Sequence, residues 1–522
     1  MKNTITNAAE ITVLAPIDAT ETTGGGLVSV GATVVEAPRG QPNTVLKVLY
    51  SDWQEILGKP FSKKVGGAKM EGLRHVADAL RDCDYVNVVR VVDSTAEYPS
   101  ITMDDEGVLV KDGNAYPVVP VEAGTGIVLS IWVIDGDPST NRKVVVSDID
   151  ATTERFKITF TDLDENGETD PAATETYTVG LAATDVDDMG LPAFIETVLE
   201  NNSSRYRCDF NDTFTFAQFS TAATTGLAVA TTFTGGTNGG TPTSEEFIAA
   251  WDLFRNESFA ADLMFAAGSL DTDVLANCAA IAELRHNTFL FDASPAIKHD
   301  AAITWIATTS IDSRQARCYH APFSASDRFY GGQTVWGVSG EMAAAHARGN
   351  AIYSGEVPGI HYAAAGEKRA KLKRTGIKPL YADDVLDRDA LYTARINPVI
   401  VSSSGGAVCD DDLAVYYKEN YERFGWVNRI LNYIDHRFVQ AASAAKFEPD
   451  GITYESLYRQ TKEILDDLVM SGGLVPPRDP AYGIEPYILT VTQQEIDLWL
   501  VLWEICPTGA ARRIAGQPKL IK

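Results

Sequence analysis

Between Ser244 and Thr309 the chain alternates helix-patterned stretches (Ser244 to Arg255, Val274 to His286, Ile297 to Thr309) with short apolar runs (Leu263 to Ala267, Thr288 to Asp292). Strands joined through helices cannot pair as hairpins, because each crossover returns the chain to the same end of the sheet. The pattern therefore predicts a largely parallel sheet covered by helices. Leu27 to Val92 reads the same way: a strand, the turn Ala37-Pro38-Arg39-Gly40, a strand from Val45 to Leu49, a helix from Lys69 to Arg81 and a strand from Val86 to Val92. One α/β core is thus written in two separate stretches of sequence.

The stretch between them has a different composition. Short alternating runs (Ile127 to Ile134, Lys143 to Val146, Arg155 to Phe160) are separated by Asp/Gly/Asn turns, with one helix expected near Leu191 to Leu199. Residues 96–242 hold 7 Lys and Arg against 24 Asp and Glu, so −17 of the chain's formal charge of −27 lies in this β-rich insert. A solvated, outward-facing module tolerates that density, whereas a module packed between like copies is repelled. The same acidity excludes direct nucleic-acid binding, which needs a Lys/Arg excess on some face. The glycine stretch Gly235 to Gly240 reads as a hinge back into the core. Membrane insertion is excluded by the longest apolar run, Leu498 to Trp503, which is far too short to span a bilayer.

After Pro398 a long helix is expected from about Asp411 to Phe447. Helical spacing puts Val427, Ile430, Leu431, Ile434, Phe438 and Ala441 on one face and Lys418, Arg429, Asn432 and His436 on the other, free for a partner. A helix from Tyr454 to Met470 and strands from Tyr487 to Thr492 and Leu498 to Ile505 follow. Both ends carry lone strand-like runs, Ile11 to Leu14 and Arg512 to Lys522, which must pair elsewhere. Residues 1–23 set Lys2 against Glu10, Asp18 and Glu21, while the far end is purely basic, so the two arms are complementary in charge.

The expected organisation is an α/β and α+β multidomain chain. An N-terminal arm (1–23) precedes the first core segment (24–95), the acidic β-rich outer insert (96–242) and the second core segment (243–395). A C-terminal α+β unit (396–510) and a C-terminal arm (511–522) complete it.

No constellation of catalytic, cofactor-binding or metal-binding residues stands out, and no enzyme activity or cofactor is expected. Asp162 to Gly167 opens like a calcium loop but lacks the acidic twelfth position, which is Ala173, so a solvated hairpin turn is the reading. Asp292 at a strand end fits a turn or helix cap. Ser339 in Gly-Val-Ser-Gly-Glu misses the nucleophile-elbow pattern at its last residue. The seven histidines have no ligand spacing, and the six scattered cysteines read as free thiols.

Several stretches resemble the sheath proteins of contractile phage tails. Val30-Gly31-Ala32-Thr33-Val34-Val35-Glu36-Ala37-Pro38-Arg39-Gly40-Gln41-Pro42-Asn43 is similar to that family's opening strand and turn, with Gln41 at its usual Pro position. Tyr50-Ser51-Asp52-Trp53, Leu57-Gly58 and Tyr85 to Val91 follow in the family's order. Phe233 to Gly240 resembles its re-entry into the core. Asn432-Tyr433-Ile434-Asp435-His436-Arg437 and Phe447-Glu448-Pro449-Asp450 resemble its long helix and following loop.

The resemblance implies a non-enzymatic virion subunit, assembled in the host cytoplasm. It would polymerise with itself as helically stacked rings around a tail tube protein, flanked by baseplate and tail terminator proteins. It assigns Ile11, Val13, Leu14, Ile17, Arg512, Arg513, Ile514, Leu520 and Ile521 to strand exchange between subunits. It assigns Lys418, Arg429 and His436 to the tube side, and Gly24, Gly25, Gly26 and Gly509 to hinges. A capsid or adhesin-like protein and an α/β hydrolase are the alternatives.

Overall fold

The computed structural model describes residues 29–115, 121–135, 141–163, 169–401 and 406–513. Ile11, Val13, Leu14, Ile17, Gly24, Gly25, Gly26, Ile514, Leu520 and Ile521 lie outside the described residues.

An eight-stranded sheet organises the core. Its spatial order is Ala407–Cys409, Ile396–Val401, Ala316–His320, Thr288–Asp292, Leu263–Phe265, Gly31–Val35, Val86–Arg90 and Val45–Val48. The five inner pairings are parallel and the two edge pairings antiparallel. Gly31–Val35, Val86–Arg90, Thr288–Asp292 and Ala316–His320 are buried at every position, as expected for strands covered on both faces. One face packs Leu73 and Val76 of the helix Gly67–Ala79 and Met342 and Ala343 of the helix Ser339–Asn350 onto Val35, Val86, Phe265 and Leu290. The other packs Trp251, Phe254, Leu275 and Ile306, from the helices and the single turn over 244–306, onto Val34, Met264 and Phe289.

The sheet does not stop at residue 395. Ile396–Val401 and Ala407–Cys409 extend it, so the expected boundary at 395/396 falls inside the core. Nor does the long helix begin at Asp411. Leu413 and Val415 are held against the sheet and out of the helix by Leu413 N–H to Asn397 Oδ1 (2.7 Å), Val415 N–H to Ala316 O (2.8 Å) and Ser313 N–H to Val415 O (2.7 Å). The helix starts at Gly425, where a Cβ would collide with Asp412 Oδ1, and runs to Ala445. Lys418 is therefore in the preceding loop, off the helix.

The described residues of the insert form two four-stranded antiparallel sheets. One is ordered Tyr206–Phe210, Ile127–Val133, Glu97–Asp104, Leu109–Ala115, and the other Thr231–Thr232, Asn141–Asp150, Arg155–Leu163, Thr169–Val179. They share a core that includes Phe156, Phe160, Tyr206 and Phe219. Among its described residues the insert has two helices, Ile195–Asn202 and Phe216–Gly226, where one was expected. Thr215 and Gln218 form a capping box at the second, a signal present in the sequence. The glycines at 235–240 do not act as a loose hinge. Glu97 bridges Thr237, and a Cβ on Gly235 (φ 92°) would sit 2.5 Å from Gly113 N, so glycine is there for close approach.

Candidate assembly surfaces

The C-terminal unit is where apolar side chains are left over. Helices Gly425–Ala445 and Asp450–Met470 pack together and against the hairpin Tyr487–Glu495/Leu498–Ile505. The alternating period of two sends Leu489, Val491, Trp499, Val501 and Trp503 onto the helices. It sends Ile488 (50% exposed), Leu500 (44%) and Leu502 (52%) to solvent on the opposite face. Apolar residues on both faces of a two-stranded sheet, with no third strand beside it among the described residues, make this hairpin a template for added strands. Phe447, Met470, Tyr482, Ile484 and Ile496 add exposed apolar surface on the same unit.

The side chains expected to face a tube do not share a free face. Arg429 is buried, bonding Asn350 Oδ1 and Tyr362 O, and burial pulls its pKa down to about 10. His436 Nε2 meets Arg285 O at 2.9 Å, and burial lowers its pKa. Asn432 pairs with Gln315 across the same seam. The polar face thus packs against the core. Of the three, Lys418 alone is exposed, on its loop with Nζ 5.6 Å from the Tyr416 ring centre. An alternation rule finds which side of a helix is apolar, but it cannot say whether the polar side meets water or buried polar partners.

Near the C-terminal end, Thr508 is tied by its N–H to Gly473 O (2.9 Å) and by Trp426 Nε1–H to its carbonyl (3.1 Å). Arg512 turns back on its own chain and pairs with Asp411 (Nε to Oδ1, 2.8 Å). Gly509 lies between these two anchors, and Arg513 is exposed.

The insert is welded to the core by buried charges. Arg90, 1% exposed, donates to Ala37 O (2.8 Å), Gly40 O (2.9 Å), Asp135 O (2.8 Å) and Asn238 Oδ1 (2.7 Å). Arg142 pairs with the Asp135 carboxylate (Nη2 to Oδ2, 2.6 Å), and Arg205 bridges Asp162 (3.2 Å) and the core residue Glu55 (3.3 Å). Asp162 is consequently committed to this network and to Tyr206 Oη (3.0 Å).

One arrangement looks catalytic. Ser339 Oγ lies 3.2 Å from His75 Nδ1, and His75 Nε2 lies 3.3 Å from Glu71 Oε2. His75 Nδ1 also accepts Gly340 N–H at 3.1 Å, Glu71 accepts Gly337 N–H at 2.8 Å, and Ser339 and His75 are fully buried. Asp292 accepts Val338 and Ser339 N–H (2.8 and 2.9 Å). These bonds satisfy the orphan donors at the start of the helix Ser339–Asn350, which is a capping task. All six cysteines are free, and no group of three or more metal-ligating side chains occurs among the described residues.

No protein-family model and no curated protein matches the sequence. Solved structures do match over nearly the whole chain. A sheath tail protein from Listeria innocua superposes with a TM-score of 0.56 at 14% identity, covering 94% of each chain. The sheath tail protein of Desulfitobacterium hafniense gives 0.50 at 13%, covering 93% of this chain and 98% of its own. The anti-feeding prophage helical sheath in its contracted state gives 0.51 at 10%, covering 99% of both. Core sheet, inserted module and C-terminal hairpin together give this chain the fold of the contractile-tail sheath proteins.

Proposed function

We propose that the chain is the structural subunit of a contractile tail sheath. It polymerises around a tail tube in an extended, metastable state and shortens to drive the tube through an envelope. The observation that carries this reading is the end-to-end match to a sheath subunit in its polymer, 99% of both chains. The two-faced hairpin supports it, because it offers neighbours a strand template while the core stays closed.

On this reading the partners are further copies of the chain in stacked rings, a tail tube, a baseplate and a tail terminator, and the protein resides in the virion tail. Ile11, Val13, Leu14 and Ile17 at one end, and Arg513, Ile514, Leu520 and Ile521 at the other, are the residues proposed to add strands to neighbouring hairpins. The acidic insert is proposed to lie on the outside. Contraction needs no nucleotide: burying ~500 Å² more apolar surface per subunit supplies a gross ~12 kcal/mol before ordering costs.

Negative-stain microscopy of the purified protein, with and without tail tubes, tests the reading. Tubes or stacked rings are expected. Deleting residues 1–20 or 511–522 should leave folded chains that do not polymerise. Discrete particles under all conditions, or normal tubes from both truncations, would refute it.

A further inference from the structure

Beside the helices His299–Ile306 and Arg388–Thr393 lies a surface groove of about 870 Å³. Ile303, Ile306 and Ile311 supply apolar walls, Asp312, Asp387 and Asp389 supply acidic ones, and no basic side chain lines it among the described residues. We propose that this groove is the docking site of the chain's own C-terminal segment, residues 514–522, in the unassembled subunit.

Three observations select that occupant. The segment reads Ile514-Ala515-Gly516-Gln517-Pro518-Lys519-Leu520-Ile521-Lys522, apolar and purely basic, which complements an apolar groove with acidic walls. The N-terminal arm carries an acidic excess and is repelled by the same walls. The C-terminal chain is also already delivered to this side of the core. Arg512 is held by Asp411, and its guanidinium lies 5.2 Å from the ring centre of Tyr392. Tyr392 sits on the helix Arg388–Thr393, whose Asp389, Ala390 and Thr393 line the groove. Nine residues reach roughly 30 Å when extended, enough to pass around a helix about 10 Å across.

The docking stands on these observations alone. Its consequence rests on the sheath reading: a parked tail is withheld from neighbouring hairpins until assembly displaces it. The Arg512–Asp411 pair then sets the point from which the tail swings.

Hydrogen exchange on the full-length chain, at a concentration where size exclusion gives a monomer, tests the proposal. Ile514→Asp combined with Leu520→Asp and Ile521→Asp should cost protection at 303–312 and 387–394 and leave the hairpin at 487–505 unchanged. Asp389→Lys alone should cause the same loss, and adding Lys519→Glu and Lys522→Glu should restore protection. Asp387 is left intact because it caps its helix. Unchanged exchange at the groove, a loss confined to the hairpin, or a charge swap that restores nothing would overturn the proposal. Groove protection seen only in polymer would overturn it too, by assigning the occupant to a neighbouring copy. Polymerisation, followed separately by light scattering, reports on the sheath reading without bearing on the docking.

Discussion

Arg90→Met should uncouple the acidic insert from the core. The guanidinium joins the core turn (Ala37 O, Gly40 O), the insert (Asp135 O) and the returning linker (Asn238 Oδ1) through bonds of 2.7–2.9 Å. Methionine keeps much of the stem's volume but leaves the carbonyls of Ala37, Gly40 and Asp135 in buried bonds, and the part-buried Asn238 Oδ1, without this donor. At about 1 kcal/mol each, and somewhat more where no water can enter, the loss is about 3–5 kcal/mol. Because the affected groups lie on three segments, the loss should appear first as independent opening of the insert. Urea unfolding followed by circular dichroism should show an earlier, broader transition. Hydrogen exchange should quicken in Ile127–Val133 and Tyr206–Phe210 before the core strands respond. A variant that unfolds within ~1 kcal/mol of the parent in a single transition would refute the clamp. The insert would then be held by its other ties to the core, Arg205 to Glu55 among them. Replacing 96–242 by a short linker strands Arg90 in the same way, so that deletion should be made with Arg90→Met.

Arg429→Glu should cost about 3–5 kcal/mol by burying an unpaired carboxylate against Asn350, whereas Lys418→Glu, on its exposed loop, should stay within about 0.5 kcal/mol; equal, small effects in chemical denaturation would contradict the buried seam. Burial pushes Asp262 up to about 7, with its Oδ2 unpartnered. The folded chain then binds more protons than the unfolded one between pH 4 and 7, so this group's contribution to stability falls as pH rises through that window. Asp262→Asn should be neutral at pH 4 and stabilising at pH 8, by at most ~4 kcal/mol, and a Tm gain equal at both pH values would count against this. Burial and neighbouring His299 hold His320 down at about 4, which gives the opposite sign: its contribution is present above pH 6.5 and lost as pH falls toward 4, as thermal scans should show. Ser339→Ala should lower stability by about 1 kcal/mol, and a fluorophosphonate probe should not label the parent protein; labelling at Ser339 would revive the hydrolase alternative.

Elements whose signal is local were legible in the residues. Helix-strand alternation from Ser244 to Thr309 specified parallel strands, because only crossovers fit that spacing. The runs Tyr487 to Thr492 and Leu498 to Ile505 were legible as strands. The acidity of residues 96–242 set that stretch apart, since charge density is a property of composition. Tertiary structure decided whatever depends on a distant partner. Ser339–Asn350 has no legible period because it is buried almost all round, and Leu413 and Val415 stay out of the helix because the Asn397 side chain and the backbone of Ala316 and Ser313 hold them. Arg429 and His436 were legible as a polar stripe. Their destination was not, because a stripe facing water and a stripe facing Asn350 and Arg285 obey the same 3.6-residue period, and only the packing of distant segments tells them apart.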